Sequence, residues 1–511
     1  MPETSTNTSR IAKNTLLLYF RMLLTMGVTL YTSRVVLDVL GVDDYGIYNV
    51  VAGVVAILGF ISGPMIEATQ RFLNFYMGKN DSEGLNNVFN ACQVIHFVVA
   101  IIVCIVAETI GLWFVYRYLV IPPERLDAAV KVFHLSVVSS VFLVMSFPYN
   151  AAIIAHEKMS VFAIFSIGDS ILKLLIVYLL RIAQFDHLIF YAAMLAALQI
   201  LISLAYRLYC IINFEEVKLK IKSIPKNLYK QILSFSGWNF IGNIANQCLT
   251  QGTNVILNMF FGPAVNAAKG VAVQVQNAVQ QLCGNFMMAV RPQIVKSYAS
   301  GDYQYMHSLI FMSSRISFYL VSLIALPVIF KSDWILSIWL KQVPEYASIF
   351  LKYTMLFVLV QSLANPLLSG SIATGNVKRI MSVIATFFIM VIPASYVALR
   401  LGMSPVSVFV IQLVMYVIAH IMRVEIVCRQ ISISRKQYLF DVIKPIVIVS
   451  ALSVLSIYFC AFIIPDDGFY NILFLVISIV VILTLCFFLG TKSEERKMIK
   501  SFVTKKLCSK E

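Results

Sequence analysis

Charge is what this 511-residue sequence lacks: Asp, Glu, Lys and Arg make up 13% of it, against 59% hydrophobic residues. A soluble globular domain carries about 25% charged residues. Charge this sparse, spread over the whole length, leaves too little polar surface to cover a water-soluble particle. No polar stretch is long enough to hold a soluble domain between the apolar runs. The nine cysteines form no C-x-x-C pair, and all but Cys508 lie in or beside apolar runs, so neither a disulfide framework nor a zinc site is expected. The six histidines are scattered with no H-E-x-x-H motif, and no cofactor is expected. No small-residue cleavage site closes the first apolar run, which starts after Arg10 and Lys13 and continues past Leu30; a cleavable signal peptide is not expected. The net charge of +15 lies in short connections and the C-terminal tail, without interleaved aromatic platforms. Nucleic acid is therefore not an expected partner, and the basic residues read as cytoplasm-facing flanks of membrane spans.

What the sequence has in abundance is apolar runs long enough to cross a bilayer, each roughly 20 residues. Read between polar breaks, they give about fourteen spans, the first at 11–37, the second at 46–70, the eighth at 269–291 and the last at 469–490. The fold class is an all-α polytopic membrane protein. An even number of spans puts both termini on one side. Connections on that side carry Lys218, Lys220, Lys222, Lys226 and Lys230, then Lys378 and Arg379, then Arg423, Arg429, Arg435, Lys436 and Lys444. The opposite connections carry Asp43–Asp44 and Asp466–Asp467. The split is about 26 Lys/Arg against about 7, so both termini are expected in the cytoplasm.

An internal repeat organises the spans. Pro148, Ile154-Ala155, Lys158 and Met159-Ser160-Val161 recur as Pro366, Ile372-Ala373, Lys378 and Met381-Ser382-Val383. Arg71, Tyr76, Gly78 and Asp81 echo Arg291, Tyr298, Gly301 and Asp302; Gly41 echoes Gly262, and Gly46 echoes Gly270. The offset stays near ~220 residues, the mark of a duplicated unit. Six spans per copy is even, so the copies insert the same way up, as parallel repeats lining a central site. The expected division is a six-helix lobe at 1–228, a second at 229–429, and two appended helices with a basic tail at 430–511.

Ionisable residues inside spans are costly and usually face a bundle interior or a water-filled path. Glu67 and Arg71, and Asp169 and Lys173, are each four apart with the acid first, the favourable order for a helical ion pair. They read either as mutual neutralisation or as ion-coupling groups. Arg34 and Asp38, also four apart, read as snorkelling groups near the outer interface. Arg21 and Arg315 have no acid one turn away, and Arg21 shares a helical face with Asn14, Thr25, Thr29 and Thr32. Each arginine reads as a lumenal anion site, or as the partner of an acid on another helix. Span seven carries Asn239, Asn243, Asn246, Gln247, Gln251, Asn254 and Asn258; span eight carries Gln274, Asn277, Gln281 and Asn285. Single amides can be interhelical glue. A double stripe of them offers donors and acceptors suited to sugar hydroxyls.

A membrane glycosyltransferase could use Asp43–Asp44, but the short connection there leaves no outer domain for an acceptor, and an enzyme is not expected. The G-V-D-D-Y-G-I-Y segment (41–48), the Arg–Tyr–Gly–Asp exit from span two and the Pro…Ala exits from spans four and ten resemble the polysaccharide transporter family. These are the O-antigen flippases of the multidrug/oligosaccharidyl-lipid/polysaccharide (MOP) exporter superfamily. The resemblance covers essentially the whole chain. It implies a V-shaped, two-lobed transporter in the bacterial inner membrane that flips an undecaprenyl-pyrophosphate-linked oligosaccharide to the outer leaflet for O-antigen, capsule or exopolysaccharide assembly. It implies a cationic lumen lined by spans one, two, seven and eight, where Arg21, Arg71 and Arg291 lie, with Arg315 as an extension. Membrane lipids, a polysaccharide polymerase and glycosyltransferases are the partners it implies. Span one has no carboxylate before Asp38, unlike many drug-extruding relatives. A cation-coupled multidrug exporter and a peptidoglycan-precursor flippase are the alternatives.

Overall fold

The structure is a computed structural model, described here for residues 2–58, 62–119, 121–218, 224–340, 342–465, 467–492 and 495–496. Fourteen long helices account for almost all of the described residues, which contain no strand. They are α1 (Pro2–Leu58), α2 (Ser62–Gly78), α3 (Ser82–Val106, extended through a π-turn to Tyr118), α4 (Leu126–Ala155), α5 (Met159–Ile182), α6 (His187–Asn213) and α7 (Lys226–Phe261). Then follow α8 (Pro263–Ala299), α9 (Tyr303–Phe330), α10 (Ala347–Thr374), α11 (Lys378–Arg400), α12 (Val406–Gln430), α13 (Lys444–Ile463) and α14 (Gly468–Leu485). Ten of them are long and apolar enough to cross a membrane: the chain is a multi-pass membrane protein. The other four, α1, α2, α7 and α8, carry Arg21, Arg71, Arg291 and the two amide stripes. Their low apolarity is the cost of that polar content.

The chain forms two compact units, Asn14–Gly237 and Trp238–Glu511, the latter with Met1–Lys13. The change from one to the other falls inside α7. In the N-terminal unit α4 is the hub, packed against α2, α3, α5 and α6. In the C-terminal unit α10 holds that place, against α8, α9 and α12. Both hubs carry a proline near their ends, Pro148 and Pro366, and both bury a run of small residues beyond it, Ala151-Ala152 and Ser369-Gly370-Ser371. Small side chains let neighbouring backbones approach. At Gly370 a Cβ would fall 2.9 Å from Ile310 Cδ1 and 3.2 Å from Ile431 Cδ1, so α9 and the end of α12 close on it.

The repeated residues repeat in backbone conformation as well. Gly41, with φ 76° and ψ 172°, breaks α1; Gly262, with φ 76° and ψ −171°, separates α7 from α8. This extended, positive-φ region is essentially reserved for glycine. Asp81 caps α3 by accepting from the Gly84 N–H, and Asp302 caps α9 by accepting from the Tyr305 N–H, at 2.8 and 3.1 Å. A left-handed residue precedes each cap, Asn80 and Gly301. Past the hubs, Glu157 (φ 58°) and Gly375 (φ 79°) turn the chain into α5 and α11. Gly46 and Gly270, by contrast, sit within helices with open space where a Cβ would be. Of the second span, expected over 46–70, the described residues belong to the second segment of α1 and to α2, and 59–61 lie outside the described residues.

The appended helices dock on one face of α9. Phe311, Arg315 and Tyr319, one turn apart, meet Tyr438, the Asp441 carbonyl with Glu495, and the Gly490 carbonyl. Lys331 at the end of α9 lies over the Phe474 ring of α14, 5.2 Å from its centroid. A Cβ on Gly490 would strike the Tyr319 ring at 2.7 Å, so glycine is what permits the fit.

The two glycine pairs give a direct test. Gly41→Ala and Gly262→Ala should each lower the stability of the purified protein by about 1–3 kcal/mol, the cost of forcing a Cβ into that region. Gly46→Ala and Gly270→Ala should be neutral or stabilising by up to about 1 kcal/mol, the helical advantage of alanine. Thermal melting in detergent separates the pairs; equal losses at all four positions would refute the assignment.

Candidate functional site

In the N-terminal unit the charged residues of α1, α2 and α5 are held by rings, hydroxyls and one another. Arg21 is half-buried on α1. Its guanidinium lies over the Phe162 ring, 4.7 Å from the centroid, and Nη1 donates to Ser166 Oγ at 3.3 Å. Aromatic faces attract cations, and guanidinium is suited to stacking. Thr25, Thr29 and Thr32 donate their hydroxyls to carbonyls of α1 itself, so the polar stripe is largely self-satisfied. Arg71 is 7% exposed and stacks over Phe72, Phe75 and Phe235, at 4.5, 4.7 and 5.8 Å. Glu67 is half-buried one turn before it. Asp169 and Lys173 form the helical pair expected of them, Nζ to Oδ2 2.7 Å. Asp38 meets Arg181 of α5 at 3.7 Å, while the Arg34 side chain lies outside the described residues.

Asp44, half of the acidic pair a glycosyltransferase would need, is engaged otherwise. Arg125, before α4, donates through Nε to Asp44 Oδ1 at 2.8 Å and through Nη2 to Oδ2, and through Nη1 to Asp186 Oδ2 at 2.5 Å. Asp186 also caps α6, accepting from the N–H groups of Leu188 and Ile189. Partial burial raises its pKa, but the bonds from Arg125 and the two amides outweigh that and hold it below the ordinary carboxylate value. One guanidinium thus ties α1, α4 and α6 together.

In the C-terminal unit the amides separate into two sets. Gln247, Gln251, Gln274, Asn277 and Gln281 are exposed, while Asn243 and Asn254 are half-buried and bond along their own helix, to the Asn239 carbonyl and to Gln251 Oε1. Asn246 and Asn277 border a polar cavity among α7, α8, α10 and α12, with a water-accessible volume of about 110 Å³. Gln276, Gln280, Gln361 and Gln412 add further amides to its wall, and Gln280 donates to Gln361 across it. Inside sits Lys269, 4% exposed. Its ammonium donates to the Thr250 carbonyl at 3.1 Å and to the Thr253 hydroxyl. No carboxylate lines the cavity.

Sequence reasoning missed Lys269, which is the first residue of the eighth apolar run at 269–291. Its signal was positional: seven residues past Gly262-Pro263, it lies inside a helix that starts at Pro263. Arg423 was assigned to a connection, yet it is 3% exposed within α12, its guanidinium 5.5 Å from the Tyr416 centroid. Arg291 is half-buried on α8. Arg315 differs from its expected lumenal surroundings. It is buried, bonded to the Asp441 carbonyl at 2.5 Å and paired with Glu495. Lys492 joins Asp441 at 2.9 Å beside it. The acid that pairs with Arg315 comes from beyond the last helix rather than from another span, and the pair anchors the appended helices.

No protein-family model and no curated protein matches the sequence. Solved structures do match in fold. A point mutant of a MATE protein superposes with a TM-score of 0.71 at 12% identity, covering 83% of this chain and 96% of its own. A multidrug-resistance MATE transporter of the MOP superfamily in an outward-facing conformation gives 0.68 at 12%, over 83% and 97%. A MOP superfamily transporter from Pyrococcus furiosus, reported to have a binding pocket of reverse polarity that suggests a different function, gives 0.67 at 12%, over 83% and 96%. The chain has a MATE-like transporter fold.

The Arg315–Glu495 pair yields a cycle. Removing one member of a buried pair leaves an uncompensated charge and typically costs about 3–5 kcal/mol, whereas apolar replacement of both is often neutral. Glu495→Met alone should therefore destabilise the protein strongly, and adding Arg315→Met should recover most of the loss. Additive losses in melting experiments would show that the pair is not coupled.

Proposed function

We propose that this protein is a MOP-type flippase that moves an undecaprenyl-pyrophosphate-linked oligosaccharide from the inner to the outer leaflet of the bacterial cytoplasmic membrane by alternating access, for surface polysaccharide assembly. The observation that carries this reading is the sign of the buried charge. Among the described residues, every charged side chain fully buried within the fourteen long helices is basic: Arg71, Lys269, Arg315 and Arg423. The two buried acids, Glu157 and Glu216, lie in connections. A path for cationic drugs calls for acids inside spans; an interior of cations and amides suits a pyrophosphate carrying sugars. The fold itself is shared with a multidrug transporter, which favours the multidrug-exporter reading as the second one. The Pyrococcus furiosus protein, with its reported reverse polarity, is a precedent for a changed cargo on this fold.

In this reading Arg21, Arg71 and Arg291 bind the pyrophosphate, and Asn243, Gln247, Gln251, Asn254, Gln274, Asn277 and Gln281 meet the glycan. Arg315 serves indirectly, by holding the appended helices. Glu67, Asp169 and Lys173 are the candidates for ion coupling. The chain works beside a polymerase and glycosyltransferases, with both termini in the cytoplasm. Reporters fused after Arg435 should accordingly score as cytoplasmic and reporters near Asp467 as external; alkaline phosphatase activity after Arg435 would overturn the orientation.

Arg21 gives the sharpest functional test. Attraction between unit charges 4 Å apart is about 4 kcal/mol at an effective dielectric near 20, and a guanidinium can grip two phosphate oxygens where an ammonium grips one. Surface-polysaccharide display in a flippase-null strain should fall in the order wild type, Arg21→Lys, Arg21→Ala, Arg21→Glu, at matched membrane levels. Full display by Arg21→Glu would remove Arg21 from the site. Drug resistance conferred by the wild type, without display, would establish the exporter reading instead.

A further inference from the structure

We propose that the C-terminal unit binds a small monovalent anion of halide size in the cavity against Lys269. The ammonium is buried, and its two protein partners, a carbonyl and a hydroxyl, are neutral. Carbonyl and hydroxyl acceptors favour the charged form of an amine, yet they cancel none of its charge. A buried ion remains costly unless an opposite charge is nearby. The wall of the cavity supplies none: it is built of Asn246, Gln276, Asn277, Gln280, Gln361 and Gln412 with threonines and aromatic rings.

An ammonium has three donors, and two of those on Lys269 are used within the protein. The third is left for a ligand. Side-chain amides can turn N–H groups toward an anion, and Asn277 and Gln276 stand on the same helix as Lys269, two turns further along. The cavity, with a water-accessible volume of about 110 Å³, has room for one halide with a few waters. Its wall shares Asn277 with the cargo path proposed above, but a resident halide is not cargo, so the site goes beyond that reading. Anion occupancy would make the charge of the C-terminal unit, and so its stability, depend on the ionic composition of the medium.

The test is thermal melting of the purified full-length protein, exchanged between sodium chloride, sodium bromide and sodium gluconate at constant ionic strength. Gluconate, an organic anion far larger than a halide, is the reference anion. Halide should raise the melting temperature of the wild type saturably, by about 2–5 °C, the shift ligand linkage gives at concentrations well above Kd. Lys269→Met should show no halide-specific shift. Thr253→Asp, which sets a carboxylate where Lys269 already bonds, should also lose the halide response while keeping or raising the melting temperature in gluconate. This second variant keeps the proposal falsifiable if Lys269→Met does not fold. Bromide anomalous scattering beside Lys269 Nζ would locate the ion. A wild type indifferent to halide, as a neutral amine would be, or an undiminished halide response in Thr253→Asp, would overturn the site. Neither result bears on polysaccharide display, so this proposal and the flippase reading fail separately.

Discussion

The structure depends on how a helical bundle in hydrocarbon tolerates charge. An ion taken out of water loses several kcal/mol of hydration unless the protein replaces it, and a bilayer offers no water to do so. Three of the buried cations show what such a replacement can be. Arg71 lies among three aromatic rings, Lys269 on a carbonyl and a hydroxyl, and Arg315 on a carbonyl and a carboxylate. These are three different solutions to one problem, and they differ in what they leave over. Arg315 is neutralised within the chain, whereas the hydroxyl and the carbonyl on Lys269 solvate its ammonium without cancelling the charge. Positive charge held without cancellation is what an anion binds to.

The duplicated geometry limits where such residues can stand. In both units the hub is the fourth helix, and in both the segment beyond its proline includes a run of small buried residues. A wall of small residues packs tightly and has no room for a guanidinium. The helices that begin each unit are less apolar and carry the polar load, α1 and α2 in one and α7 and α8 in the other. Gly41 and Gly262 stand at matching points of those helix pairs and share one rare conformation. The duplication has preserved a backbone device while the side chains around it diverged: the residue that follows Gly262 is a proline, and the one that follows Gly41 is a valine.

Much of this was legible in one dimension because it is local. Apolar runs, the Asp81 and Asp302 caps, the paired glycines and the Asp169–Lys173 ion pair each need only a few neighbouring residues, and the sequence pattern carries them. What escaped was long-range. Glu495, the partner of Arg315, is a tail residue that reads as one more charge in a basic terminus. Arg125 and Asp44 belong to different connections, and only the packing of α1, α4 and α6 makes them a clasp. Arg423 was counted with a basic connection, and Lys269, the first residue of the run at 269–291, was given no role. Proline at the start of α8 and the turn after Gln430 set the limits of their helices, and both cations fall inside them.

The appended helices show how little of an apolar element needs to be recognised specifically. α13 and α14 expose most of their surface: about a fifth of each, 22% of its most apolar stretch, is buried. In a membrane that exposure is satisfied by lipid, so apolar contact alone gives α9 no advantage over hydrocarbon as a neighbour. The register must come from contacts that lipid cannot offer. Arg315 with Glu495, the Tyr319 hydroxyl on the Gly490 carbonyl, and Lys331 over Phe474 are of that kind; the first two lie on one side of α9 and the third at its end. Specificity in this docking is therefore polar even though the helices being docked are the most apolar in the chain. The same division of labour runs through the bundle: lipid and small residues set which helices can approach, and a few charged or hydroxylated side chains decide where they stop.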